Sequence, residues 1–170
     1  MGGAIWAQDL TATDVRFIGN SSTAVGGAVR AKSTASFTRV LATDNHADSG
    51  GFVFLNNVGS PSLSIVDSEL TGNTASRDGG VGYGNGSNVI TVITGTLLAG
   101  NGAGAAGGAI YSLGAVSVTG GSFTDNTAGM NSGLSNGWGG AIFAEAPVIA
   151  DGVAFTRNVA LGDAGGAIRS

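Results

Sequence analysis

Apolar and polar residues alternate with a period of two in short stretches that recur along this chain. In one stretch, Val116 and Val118 flank the polar Ser117. Pairs of apolar residues with the same spacing occur at Leu10 and Ala12, at Leu63 and Ile65, and at Val148 and Ala150. Such alternation predicts a β-strand with one buried face. Because helical periodicity is not sustained anywhere, the pattern predicts an all-β chain.

A pair of glycines precedes each alternating stretch, and five of the seven pairs are followed by Ala-Ile or Ala-Val. The pairs begin at Gly2, Gly26, Gly50, Gly79, Gly107, Gly139 and Gly165, so successive copies lie 24 to 32 residues apart. A repeat of this length is typical of a solenoid, in which similar coils stack on one another. Glycine permits positive φ and a close approach between backbones, so the pairs are expected to mark tight corners.

An asparagine closes each of the first six repeats, three residues after an apolar position, as in Phe17 and Asn20. The second repeat has Ala42 at the apolar position, with Leu41 beside it. Asparagine tolerates the left-handed conformation of a turn, and its amide both donates and accepts along a stack. We therefore predict a structural asparagine ladder of Asn20, Asn45, Asn73, Asn101, Asn126 and Asn158.

Each repeat is interpreted as three short strands and three turns. The best fit is a right-handed parallel β-helix (β-solenoid) of about six coils, a single domain over residues 1–170. Coils that stack at ~4.8 Å would form a rod about 30 Å long. The repeat begins at Gly2 and stops mid-unit at Ser170 without capping repeats, so we expect an internal piece of a longer solenoid, uncapped at both ends. Its open strand edges are expected to favour self-association.

Composition narrows the class of protein. The chain has 32 glycines, but it is 42% apolar and only 11% charged, which is the opposite of a disordered sequence. A net charge of -4 argues against a nucleic-acid partner, which needs clustered Lys and Arg. The absence of cysteine excludes a disulfide framework and a thiolate metal site. No apolar run is long enough to predict a transmembrane helix.

The paired tetrapeptides resemble the polymorphic outer-membrane protein (Pmp) repeats of chlamydial autotransporters and of β-helical surface proteins in other bacteria. The resemblance covers essentially the whole chain, through five Gly-Gly-Ala-[Ile/Val] copies and five [Phe/Leu]-x-x-Asn copies. It implies an autotransporter-type passenger exported to the cell surface and associated with the outer membrane, commonly an adhesin. The residues that carry the resemblance are scaffold residues, so it implies no catalytic site.

Large side chains occupy one register, four residues after the first glycine of each pair: Trp6, Arg30, Phe54, Tyr83, Tyr111, Phe143 and Arg169. We call this column the aromatic stripe. It is expected to point outward, because the neighbouring Ile or Val points inward. Two interpretations stay open. The stripe is either a stabilising ladder or a binding surface for sugar rings or a partner protein, to which arginine adds cation–π attraction.

The longest insertion, Thr127 to Trp138, is a second candidate, since insertions in solenoids form loops that often carry binding. It contains the apolar Met130, Leu134 and Trp138. These side chains either bind a ligand or fold back over the coil.

The positions of the acidic residues bear on an enzymatic function. β-Helical lyases and hydrolases need either carboxylates that converge from adjacent coils or an Arg or Lys base beside bound Ca²⁺. Asp125 and Arg157, and likewise Asp48 and Arg77, are predicted neighbours on adjacent coils, which indicates surface ion pairs. His46 is interpreted as a solvated turn residue. No catalytic residue, metal site or cofactor is predicted.

We therefore expect a non-enzymatic, secreted or cell-surface β-helical segment that acts in adhesion or as a structural stalk. Its partners would be a host-surface protein or a glycan. The alternative is a segment of a polysaccharide lyase or hydrolase whose catalytic coils lie outside these residues.

Overall fold

A computed structural model describes residues 3–131, 137–162 and 164–170 of the chain. Gly2 and Leu134, both named above, lie outside the described residues. The described residues form strands joined by turns, and none of them is helical. All strand pairs are parallel, and each strand pairs with its equivalent one coil away. The predicted all-β parallel β-solenoid of about six coils is thus confirmed.

The first three coils contain β1 (Ile5–Thr13), β2 (Arg16–Ile18), β3 (Val29–Thr38), β4 (Leu41–Thr43), β5 (His46–Ala47), β6 (Val53–Leu55), β7 (Ser62–Val66), β8 (Glu69–Thr71) and β9 (Thr74–Ala75). The fourth and fifth contain β10 (Gly82–Gly84), β11 (Ile90–Thr94), β12 (Leu97–Ala99), β13 (Gly102–Ala103), β14 (Ile110–Ser112), β15 (Ala115–Thr119), β16 (Ser122–Thr124) and β17 (Thr127–Ala128). The last strands are β18 (Ile142–Ala144), β19 (Val148–Asp151), β20 (Ala154–Thr156), β21 (Val159–Ala160) and β22 (Ile168–Arg169).

Three parallel sheets run along the stack. An eleven-stranded sheet has the order β19-β15-β11-β7-β3-β6-β10-β14-β18-β22, with β1 paired to β3. It is continuous because β3 pairs with β6 through Val29–Ala31 and with β7 through Thr34–Thr38. The other two sheets have the orders β2-β4-β8-β12-β16-β20 and β21-β17-β13-β9-β5.

The prediction of three strands in each coil was incomplete. A further strand of two residues follows the asparagine in five coils and forms the five-stranded sheet, so that four of these coils have four strands. It escaped the sequence analysis because two residues are too few to show a period-two alternation. Typical examples are β9 and β17, both of which have the sequence Thr-Ala.

The core confirms the inward positions that the alternation predicted for the inner coils, whereas in the end coils Leu10 and Val148 are partly buried and Ala150 is exposed. Leu63, Ile65, Val116 and Val118 are at most 1% exposed. Three phenylalanines pack edge-on or tilted inside the first coils, with ring centroids of Phe37 and Phe52 4.8 Å apart. Burial of each large side chain contributes about 1.5–3 kcal/mol to folding. The core is therefore a set of side-chain columns along the stack.

The asparagine ladder is present and more extensively hydrogen bonded than a simple side-chain stack. At Asn73, the backbone N and the side-chain Nδ2 both donate to Asn101 Oδ1, at 2.9 and 3.1 Å. Asn73 Nδ2 also donates to the Ala42 carbonyl of the preceding coil at 2.8 Å. The same pattern joins Asn45, Asn73, Asn101 and Asn126, all at most 1% exposed, and reaches Asn20 and Asn158 at the two ends.

The proposed left-handed conformation of these asparagines was wrong. The residue with positive φ is the one before each asparagine: Gly19, Asp44, Gly72, Gly100, Asp125 and Arg157. The preceding residue makes the corner, and the asparagine itself is left free to point its amide into the core. The asparagine is therefore needed for its hydrogen bonds in the core and not for its tolerance of left-handed backbone.

The two glycines of each pair have different roles. The first glycine has a left-handed backbone conformation, which residues with a side chain rarely adopt. Gly107, for example, has φ +63°. The second, Gly108, has no positive φ, but an added Cβ would lie 2.0 Å from the carbonyl oxygen of Gly140 on the next coil. The pair thus combines a left-handed corner with direct contact between backbones, as the sequence predicted.

A buried hydroxyl offers a test of the core. Thr91 is 1% exposed between Leu63 and Val116, and its Oγ1 makes no hydrogen bond within the part of the chain that the structure describes. Because an unsatisfied buried hydroxyl costs ~1–3 kcal/mol, Thr91→Val is expected to raise the free energy of unfolding by about 1 kcal/mol. Urea denaturation of Thr91→Val and of the exposed control Thr119→Val measures this. A loss of stability in Thr91→Val alone would contradict the placement.

Candidate binding face

The aromatic stripe lies in one register, as the sequence predicted. Pairing joins Trp6 to Arg30, Arg30 to Phe54, Phe54 to Tyr83, Tyr83 to Tyr111, Tyr111 to Phe143 and Phe143 to Arg169. The flanking residues of these strands, such as Gly82 and Ile110, are buried in the core. The stripe therefore lies on the outward face of the solenoid.

The central rings stack face to face along the stripe. Ring centroids are 5.1 Å apart for Phe54 and Tyr83, 4.7 Å for Tyr83 and Tyr111, and 4.9 Å for Tyr111 and Phe143. The interplanar angles are 14°, 10° and 22°. Since each central ring covers the face of its neighbour, a ligand at the middle of the stripe meets ring edges and hydroxyl groups, not ring faces.

Cations lie against the aromatic rings near both ends of the stripe. The Arg30 guanidinium lies 5.9 Å from the Phe54 ring centroid, and the Arg169 guanidinium lies 5.3 Å from that of Phe143. Lys32 Nζ lies 4.8 Å from the centroid of Trp6, which is 57% exposed. The contact of Lys32 with the exposed Trp6 adds about 0.5–1 kcal/mol.

Exposure differs within the stripe. Phe54 and Phe143 are 7% and 6% exposed, whereas Tyr83 and Tyr111 are half-buried. Burial raises the pKa of the Tyr83 hydroxyl and of the Tyr111 hydroxyl above the ordinary tyrosine value. Both phenols are consequently neutral at physiological pH and can donate as well as accept hydrogen bonds. The middle of the stripe is an uncharged pair of hydroxyl groups on a rigid stack.

The long insertion packs against the solenoid at both of its described ends. An added Cβ on Gly102 would lie 2.4 Å from the Met130 methyl carbon, so Met130 packs directly on β13 although it is 49% exposed. At the other end, the Trp138 ring stacks on Phe143 with centroids 5.9 Å apart, and the Arg169 guanidinium lies 3.8 Å from the Trp138 centroid. The insertion thus extends the aromatic stripe by one ring.

Two shorter insertions, after β6 and after β10, contribute side chains that the sequence analysis did not select. Asn56 follows Phe54 by two residues, and Asn85 follows Tyr83 by two, so both lie on the outward face beside the stripe. Asn85 N donates to the Leu55 carbonyl at 2.9 Å, which keeps the two asparagines in register. The signal available in the sequence was their shared offset from the glycine pair.

Charged side chains outside the stripe form ion pairs at corners of the coils. Arg157 binds Asp125 through two hydrogen bonds of 2.7 Å, and Arg77 lies 3.9 Å from Asp48, as predicted. Arg157 holds the pKa of the Asp125 carboxyl below its usual range. His46 Nδ1 lies 3.0 Å from Thr74 Oγ1, a partner that the sequence did not indicate.

The acidic side chains lie apart from one another. Among residues 3–131, 137–162 and 164–170, no three His, Asp or Glu side chains converge to hold a metal ion. In the same part of the chain, no helix has the length and apolar character needed to cross a bilayer.

Fold and face together define a parallel β-solenoid with a buried asparagine ladder and an aromatic stripe on its outward face. Residues 120–145 match the Chlamydia polymorphic membrane protein (Chlamydia_PMP) repeat. This stretch holds both signatures of the repeat, Phe123-x-x-Asn126 and Gly-Gly-Ala-Ile at 139–142. The match confirms, over these residues, the resemblance drawn from the sequence. No curated protein and no solved structure matches the chain.

The family of the matched repeat has a known general class of function. Proteins of the Pmp repeat family are surface-exposed outer-membrane proteins with a β-helix. The family is adhesin-like and non-enzymatic.

Proposed function

We propose that this chain is part of a cell-surface β-solenoid that acts in adhesion. The binding face is the outward surface of β6, β10, β14 and β18, which carries the central part of the aromatic stripe. Its partner is a molecule on a host surface, either a protein or a glycan. The role of the scaffold is to hold this face rigid and away from the bacterial membrane.

The observation that carries the proposal is the pair of half-buried tyrosines at the centre of the stripe. A purely structural ladder needs ring stacking, and Phe54 and Phe143 achieve it without a polar group. Tyr83 and Tyr111 add hydroxyl groups on a rigid stack. Rigid tyrosines with one apolar and one polar end are enriched in binding interfaces, because they lose little conformational entropy on binding.

The tyrosine hydroxyls can be tested without disturbing the stack. The double variant Tyr83→Phe with Tyr111→Phe keeps all four rings, so its melting temperature is expected to match that of the wild-type chain. If each lost hydrogen bond contributes about 1 kcal/mol, attachment of coated beads to cultured epithelial cells is expected to weaken by about tenfold or more. The measurement is bead attachment as a function of coating density.

A matched control removes two hydroxyl groups from a different face. Thr71→Val with Thr124→Val changes the outward side of β8 and β16 and is expected to leave attachment unchanged. Equal attachment of the tyrosine and threonine variants would exclude the two tyrosine hydroxyls as adhesive groups. Turnover of a polyuronate into unsaturated products by the wild-type chain would contradict the non-enzymatic class.

A further inference from the structure

We infer that the ligand of this face is a neutral glycan, held by the Tyr83 and Tyr111 hydroxyls together with the side-chain amides of Asn56 and Asn85. The inference rests on the proposed function and adds the chemical class of the ligand and two further binding residues. We call Asn56 and Asn85 the amide row.

The amide row runs parallel to the aromatic stripe. Asn56 N donates to the Ala31 carbonyl at 2.9 Å and Asn85 N donates to the Leu55 carbonyl at 2.9 Å, so both asparagines extend the parallel pairing by one residue beyond the strands. Each lies two residues beyond a stripe residue, about 6.6 Å along the strand. Adjacent coils repeat the same groups at ~4.8 Å. Hydroxyls and amides thus form a regular two-column surface.

The two insertions that carry the amide row are built against each other. Asn57 packs on the backbone of Gly86, where an added Cβ would lie 2.5 Å from Asn57 Cγ. Asn88 Nδ2 donates to the Gly59 carbonyl at 3.0 Å, and Val89 is buried at 1% exposure beneath the second insertion. These contacts fix both insertions, so the amide row is held in place before a ligand binds. A site that is already ordered loses less entropy on binding.

The amides keep free hydrogen-bonding capacity. Asn85 Nδ2 lies 3.5 Å from Asn56 Oδ1, which is the long limit of a hydrogen bond. Each side-chain amide offers two donors and one carbonyl with two lone pairs. Both residues are half-buried, so part of each amide faces solvent and can meet a ligand.

The charges around the amide row indicate a neutral ligand. Lys32 precedes Asn56 in the same column and Glu145 follows Leu113, so opposite charges occupy the two ends of the row. Between them lie the four proposed binding groups, which are the side-chain amides of the amide row and the neutral phenols of Tyr83 and Tyr111. Asp78, Glu145 and Arg77 act electrostatically on both tyrosine hydroxyls, two anions against one cation. A strongly anionic ligand would therefore be repelled at the centre, whereas sugar hydroxyls, which donate and accept, match amides and phenols.

The test is a printed array of neutral oligosaccharides beside sialylated and sulfated ones, probed with the labelled full chain. Binding to neutral spots is expected. Asn56→Val with Asn85→Val is expected to weaken it by about tenfold or more, at about 1 kcal/mol for each amide lost. The control pair Thr71→Val and Thr124→Val is expected to bind like the wild-type chain, and equal melting temperatures would show that all three chains fold.

The outcomes separate this inference from the proposed function. Attachment to cells that is lost after protease treatment of the cells, with no binding to neutral glycans, would overturn the glycan inference and leave adhesion standing. Neutral-glycan binding that the asparagine variant retains would overturn the assignment of the amide row. Preference for sialylated or sulfated spots would overturn the neutral class. Failure to bind cells and glycans alike would reject both proposals.

Discussion

Replacement of Asn101 by leucine is expected to lower the free energy of unfolding by about 3 kcal/mol or more, because each orphaned polar group in the core costs ~1–3 kcal/mol. The change removes four hydrogen bonds, two accepted from Asn73 and two donated to Leu70 O and Asn126 Oδ1. The Asn73 backbone N–H loses its side-chain acceptor, and the Leu70 carbonyl loses a donor. Leucine can supply neither group.

The effect is measured by urea denaturation followed by circular dichroism. The control is Gln8→Leu, which also replaces a side-chain amide by leucine, at an exposed position, and is expected to shift stability by less than about 0.5 kcal/mol. If Asn101→Leu unfolded at the same urea concentration as Gln8→Leu, the asparagine ladder would not be a determinant of stability.

Replacement of Gly108 by alanine is expected to have an effect at least as large. The new Cβ would lie 2.0 Å from the Gly140 carbonyl oxygen and 2.7 Å from Thr127 N, and all of these atoms belong to backbone. Overpacking of a core typically costs about 1–3 kcal/mol, and more when the neighbours cannot move. Here relief requires two coils to separate, which would break the hydrogen bonds of Ala109 and Ile110 to the Ala141 carbonyl.

Gly100 provides the comparison for this prediction. Its φ is +62°, and nothing lies within 4 Å of an added Cβ. Gly100→Ala therefore tests left-handed strain alone, which costs about 1–2 kcal/mol. Thermal unfolding of both variants separates steric contact between coils from backbone strain. A smaller loss of stability in Gly108→Ala than in Gly100→Ala would contradict the close stacking of the coils at the glycine pairs.

The sequence was sufficient to predict the features that repeat in every coil. A period-two pattern identifies inward residues such as Leu63 and Val116, and a fixed offset from the glycine pair places Tyr83 beside Tyr111. Both signals are strong because the same environment recurs several times in one chain. Stacking then converts similarity along the chain into contact in space.

Other features could not be predicted because they depend on geometry that a single coil does not reveal. Arg157 and Gly100 occupy the same left-handed corner with no common side chain, so the sequence pointed to the invariant asparagine instead. The position of Trp138 against Phe143 depends on how a long insertion returns to the coil. Asn56 and Asn85 lie in insertions of different length, and only the structure shows that these insertions pack together.

The stripe serves stability and binding through different atoms. Ring faces contact each other, with centroid distances of 4.7 to 5.1 Å over the four central rings. Tyr83 and Tyr111 are half-buried, so part of each side chain remains available to a ligand. A ladder and a binding surface are therefore compatible descriptions of one column, and the Tyr→Phe variants separate them.

The central claim, that this solenoid is an adhesive module, is tested most directly by the binding isotherm of the labelled wild-type chain on cultured epithelial cells, measured by flow cytometry at low and high salt. The account predicts saturable binding that changes little with salt, because the proposed contacts are uncharged and salt screens interactions between exposed charges. Binding that never saturates, or that disappears at high salt, would contradict it.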